Sequence, residues 1–116
     1  MRILLADDDP HVCSAIRLLL EDEPGVYVAA DCATVDRLLE RVICSRSDVV
    51  LVDWDLVSLR TDTELQRLRS TAPACRIVAL SGRPEQRAEA LRAGAVSLVC
   101  KGDPAEGLLG VLRSLR

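Results

Sequence analysis

The stretch from residue 49 to 58 reads VVLVDWDLVS, so four apolar positions run straight into Asp53 and a second carboxylate, Asp55, follows two residues on. An ionised carboxylate taken out of water costs several kcal/mol unless something pairs with it. Three other apolar runs end in polar groups. ILLADDDP gives out at Asp7 and Asp8, RIVALSG at Ser81, and VSLVCKG at Lys101, which is the only lysine beside fourteen arginines. If the acids share one pocket they repel one another, and a divalent cation is the remedy. Hard oxygen ligands that leave room for water and a phosphate favour Mg2+. Beside such an ion Asp53 can act as a nucleophile and form an acyl phosphate. Lys101 would bring a compact cation to a phosphoryl oxygen, and Ser81 a hydroxyl donor to another.

Such a gathering needs a scaffold that carries distant residues to one edge. A chain of 116 residues is one domain, and with one Trp, one Tyr and no Phe its core must come from Leu, Val, Ile and Ala. Short apolar runs at Ile3–Ala6, Val26–Ala30, Val49–Asp53, Arg76–Leu80 and Val96–Cys100 predict strands covered on both faces. Segments of helical period alternate with them. Asp9 and Pro10 predict a capped start for a helix with Val12, Ile16, Leu19 and Leu20 inward. Val35, Leu38, Leu39 and Val42 line a second helix. TDTE, Thr61 to Glu64, is a capping box opening a third, with Leu65 and Leu68 inward. A fourth runs from about Pro84 to Gly94, and DPAE, Asp103 to Glu106, opens a fifth that buries Leu108, Leu109, Leu112 and Leu115. The pattern is (βα)5 around a parallel sheet. Sites in such sheets form outside the carboxyl ends of the strands, where strand order reverses. If the first and third strands are neighbours there, Asp7, Asp8 and Asp53 converge, while Asp31, after the second strand at the far edge, reads as a solvated loop acid.

Each residue alone has a plainer reading. ADDDP suits a helix N-terminus, where acids favour the dipole; DWD suits a loop start, Ser81-Gly82 a turn, and a lone lysine the solvent. Their coincidence at four of five strand ends favours chemistry. A formal charge of −3 offers no basic face for nucleic acid, so direct DNA binding is not expected. Cysteines 13, 32, 44, 75 and 100 are odd in number, scattered and without a CxxC pair, as suits small apolar residues in a reduced, cytoplasmic protein. The first apolar run is too short for a signal peptide, and no stretch approaches the ~20 apolar residues of a membrane span.

With an acidic pair after strand one, an acceptor Asp after strand three, Ser after strand four and Lys after strand five, the chain resembles the receiver domain of bacterial two-component response regulators over essentially residues 1–116. The resemblance implies a flavodoxin-like, doubly wound three-layer α/β fold with sheet order 2-1-3-4-5. It also implies phosphoryl transfer to Asp53 from a histidine kinase or phosphotransfer protein, with slow self-catalysed hydrolysis rather than enzymatic turnover. Mg2+ would be held by Asp8 directly, by Asp7 mainly through water, by Asp53 and by the backbone carbonyl of Asp55. Lys101 would pair with the phosphoryl group and Ser81 would sense it. The resemblance further implies an output domain outside this chain, most similar to a helix–turn–helix transcriptional regulator, and a homodimer through the last helices. Three positions depart from the family pattern. LVSLRT, Leu56 to Thr61, lacks the usual Pro-Gly turn; Leu98 replaces an aromatic switch residue; and Gly102 follows Lys101 where Pro is common, so no cis peptide is expected. Two rival readings remain. One is a receiver-like binding module that is never phosphorylated. The other is a haloacid-dehalogenase-type phosphatase, whose DxDx(T/V) motif VDWDLV fits, but whose nucleophile belongs on the first strand.

Overall fold

Leucine- and valine-rich runs without polar alternation need cover on both faces, and the computed structural model, which describes residues 1–57 and 63–116, supplies it. Strands β1 (Arg2–Ala6), β2 (Tyr27–Cys32), β3 (Val49–Asp53), β4 (Arg76–Ser81) and β5 (Ser97–Cys100) form one parallel sheet in the order β2-β1-β3-β4-β5. The helices are α1 (Pro10–Glu21), α2 (Leu38–Ser45), α3 (Trp54–Val57), α4 (Thr63–Thr71), α5 (Arg87–Arg92), preceded by a 3-10 turn at Pro84–Gln86, and α6 (Ala105–Ser114). This is the expected flavodoxin-like (βα)5 fold, with a short extra helix, α3, leaving directly from Asp53.

Successive strand residues point to opposite faces, and the core divides accordingly. Ile3, Leu5, Val49, Leu51, Val78, Leu80 and Val99 pack under Ile16 and Leu20 of α1 and Leu108 and Leu112 of α6. Leu4, Ala6, Val50, Val52, Ile77, Ala79 and Leu98 pack under α2, α4 and α5 through residues such as Leu38, Val42, Leu68 and Ala90. Helices α1 and α6 therefore cover one face, and α2, α4 and α5 the other.

Several boundaries differ from the sequence expectation. β2 runs on to Cys32, so Asp31 is not a loop acid: it pairs in register with Leu5, and its carboxylate meets Arg17 of α1 at 2.7 Å. β2 is an edge strand with little fully buried surface, which left its end poorly marked by hydrophobicity. Asp9 does cap α1, accepting from the His11 N–H at 2.9 Å, with Pro10 at the first helical position. Val35 is buried but precedes α2, because Arg37 turns the chain through a left-handed conformation (φ 62°) before the helix starts. Asp103 does not cap α6; Pro104 occupies that position. Gly94 ends the α5 segment at φ 109°, the left-handed geometry that favours glycine. The TDTE capping box and the LVSLRT segment, Leu56 to Thr61, which departs from the family's Pro-Gly turn, lie in part outside the described residues. Among the described residues every peptide bond is trans, no disulfide forms, and no helix is long and apolar enough to cross a membrane.

Candidate functional site

The hollow is built by letting two strand ladders run one residue past their strands. The N–H of Asp7 donates to the Cys32 carbonyl at 3.0 Å, and the N–H of Lys101 to the Ser81 carbonyl at 2.8 Å. Both residues thereby keep the alternation of β1 and β5, and with Asp53 at the end of β3 they fall on the α1/α6 side of the sheet. One carboxylate oxygen from each of Asp7, Asp8 and Asp53 can be chosen so that all lie within 4.8 Å of one another. Asp7 and Asp53 are buried, at 4% and 5% exposure, and Asp8 faces solvent.

Lys101 reaches across both buried acids. Its Nζ lies 3.1 Å from Oδ2 of Asp7 and 3.3 Å from Oδ2 of Asp53. Oδ1 of Asp53 accepts from the backbone N–H of Asp55 at 3.1 Å, and Oδ1 of Asp7 from that of Asp9 at 2.9 Å. Burial pushes the Asp53 carboxyl above its ordinary value; the Asp55 N–H and the Lys101 ammonium oppose that, and the Asp7 charge adds to it. Burial disfavours the Lys101 ammonium too, yet Asp7 and Asp53 outweigh it and raise its pKa. Burial leads for Asp53 and the paired acids for Lys101, and the one ammonium is shared by the two buried carboxylates with the third, on Asp8, beside them.

A hard cation fits this donor set. Every candidate ligand is oxygen, and Oδ2 of Asp7 is buried with the ammonium near it but no well-directed hydrogen bond. A divalent ion with water in its remaining positions would neutralise the surplus charge.

The structure does not bring every expected residue to the cluster. Asp55 brings its backbone N–H to Asp53, while its exposed side chain pairs with Arg83 at 3.1 Å. Ser81 is fully buried and turned away. The α1/α6 side of β4 holds Val78 and Leu80, so Ser81 has the opposite parity and faces the α5 side. There its Oγ accepts from the Arg83 N–H at 2.9 Å, lies 3.1 Å from the Arg83 carbonyl, and donates to Oε1 of Gln86. Sequence reasoning passed over Gln86. Its signal was a polar residue in line with Ala90 and Ala93 on the inward face of the RPEQRAEALRAG segment.

An all-parallel sheet with a cation-ready acidic hollow at the ends of β1 and β3 defines a doubly wound α/β protein whose site lies where strand order reverses. The chain belongs to the response regulator receiver domain family, whose model matches residues 3–113. Among curated proteins it is similar to protein-glutamate methylesterase/protein-glutamine glutaminase 3 of Myxococcus xanthus (strain DK1622), at 30% identity over 106 residues, covering 87% of this chain and 30% of that protein. The chain thus spans about 30% of the length of the curated relatives it matches. Among solved structures, a LuxR-family two-component response regulator from Aurantimonas sp. SI85-9A1 superposes with a TM-score of 0.86 at 26% identity, covering 98% of this chain and 83% of that one. The isolated receiver domain of RcsB from Salmonella enterica serovar Typhimurium, with the phosphomimetic BeF3−, gives a TM-score of 0.84 at 22% identity over 99% of this chain and 87% of that one, a likeness of fold.

Proposed function

We propose that this domain is a phosphorelay receiver in which Asp53 accepts a phosphoryl group from the phosphohistidine of a histidine kinase or phosphotransfer protein. The observation that carries the reading is the convergence of Asp7, Asp8 and Asp53 with Lys101 bridging the two buried acids. In the transfer, an Asp53 oxygen forms the new P–O bond as the P–N bond breaks, and the electron pair stays on the departing imidazole nitrogen. Asp7, Asp8, Asp53 and the Asp55 backbone carbonyl would hold Mg2+, which supplies positive charge opposite the transferred oxygens. The Asp55 N–H orients the acceptor carboxylate, and Lys101 is free to exchange a carboxylate for a phosphoryl oxygen. Ser81 would turn from the β4–α5 loop to donate to another. The added charge of about −1.5 to −2 is the local event that biases a two-state domain.

The test is incubation with acetyl phosphate and Mg2+ followed by intact mass. One added phosphoryl group is expected, absent in Asp53→Asn and in EDTA. An unmodified wild-type mass would favour the receiver-like binding module that is never phosphorylated.

The signal would pass to a partner or an output domain in the cytoplasm, with the last helices as the dimer face. The match to a LuxR-family two-component response regulator favours an output of that regulator's kind, proposed here as a helix–turn–helix transcriptional domain. The names of the curated relatives favour a second reading, in which the domain controls a protein-glutamate methylesterase. Sequencing the transcript on both sides of these codons separates the two.

A further inference from the structure

Ser81 has one hydroxyl proton, and every partner the structure gives that hydroxyl lies in the loop after β4. The proton goes to Oε1 of Gln86 or to the Arg83 carbonyl, and the lone pair takes the Arg83 N–H. Gln86 is itself buried, so its amide oxygen loses its partner if the hydroxyl leaves. An acceptor stranded out of water is expensive, whereas the bond between the two side chains adds little net stability over solvation. The asymmetry makes Gln86 a brake on any rotation of Ser81 across the sheet plane toward Asp53.

We infer that Gln86 is a positioning residue that latches the Ser81 hydroxyl on the α5 side of the sheet and thereby sets how strongly a phosphoryl group at Asp53 must bind before the domain switches. The inference rests on the reading of Asp53 as phosphoacceptor. The latch belongs to the resting protein. Phosphorylation or its mimic has to break it, and removing the acceptor should make that easier without touching any group in the acidic hollow.

The probe is beryllofluoride titrated at fixed Mg2+, read by the fluorescence of Trp54, the single tryptophan, buried next to Asp53. Gln86→Met keeps the length of the side chain and removes the acceptor. Its half-saturating beryllofluoride concentration should fall about five- to a hundred-fold, the range set by the cost of stranding one buried acceptor. In a Ser81→Ala background the same substitution should leave half-saturation unchanged, because there is no hydroxyl to hold. A merely structural role for Gln86 would shift both backgrounds alike. Gln86→Glu, close in shape and still an acceptor, should bind the mimic no more tightly than wild type, and its result stands even if the Met protein does not fold. Equal half-saturation for wild type and Gln86→Met, an equal shift in both backgrounds, or tighter binding by the Glu variant would overturn the latch. A wild-type protein with no response to beryllofluoride would remove the phosphoacceptor reading and the latch together, which distinguishes that failure from the others.

Discussion

At the scale of residues, the site is a charge imbalance that one side chain partly corrects. Lys101 is the single ammonium shared by two buried acids. Replacing it with Met keeps the stem and leaves Asp7 and Asp53 facing each other uncompensated. Loss of one partner from a buried pair costs about 3–5 kcal/mol; because Lys101 is partly solvated, about 1–3 kcal/mol is expected here. Denaturation in EDTA should show Lys101→Met less stable than wild type, and Mg2+ should narrow the gap by substituting for the missing charge. A deficit unchanged by Mg2+ would contradict a shared cation site. Asp7, Asp8, Asp53 and Lys101 were legible because each interrupts an apolar run at its end. The direction of Ser81 was legible in principle, since its parity in β4 follows from Val78 and Leu80. Its grip on Gln86 was not, because a sequence does not say which buried polar groups meet.

At the scale of elements, hydrophobic pattern succeeded where strands are covered on both faces and faltered where they are not. Central β3 matched its expected span residue for residue, and edge strand β2 did not. The same physics makes α1 a graded test. Leu18 and Leu20 stand two positions apart, at 71% and 1% exposure, with Leu20 sealed against the sheet. Leu20→Ala should lower unfolding stability by about 2–5 kcal/mol, as large-to-small core substitutions do. Leu18→Ala should stay within about 0.5 kcal/mol of wild type. Urea midpoints with unchanged slopes would verify this; similar losses for both would mean that α1 is rotated about its axis. The α2 start escaped the sequence reading for a different reason. The chain turns through a left-handed conformation at Arg37, with no glycine to announce it.

At the scale of the whole molecule, the α1/α6 layer is closed by a contact that no local pattern forecasts. Glu23, just beyond α1, takes both terminal contacts of Arg113 in α6, with Nε at 2.8 Å and Nη2 at 3.0 Å, across a separation of 90 residues. The carboxylate is covered, at 8% exposure of its side chain, and the hydrogen bonds from Arg113 hold the Glu23 pKa below its ordinary value of 4.5. A carboxyl whose folded pKa is depressed stabilises the fold fully above its unfolded pKa and loses that contribution as pH falls through the folded one. Wild type should therefore exceed Glu23→Gln in urea midpoint by a constant margin from pH 7 to about pH 5, and the margin should shrink as the medium is taken below the ordinary glutamate value. Because the two proteins differ only at this position, contributions from acids elsewhere cancel in the difference. A margin that persists undiminished at pH 3 would show that the fork contributes no ionic stability.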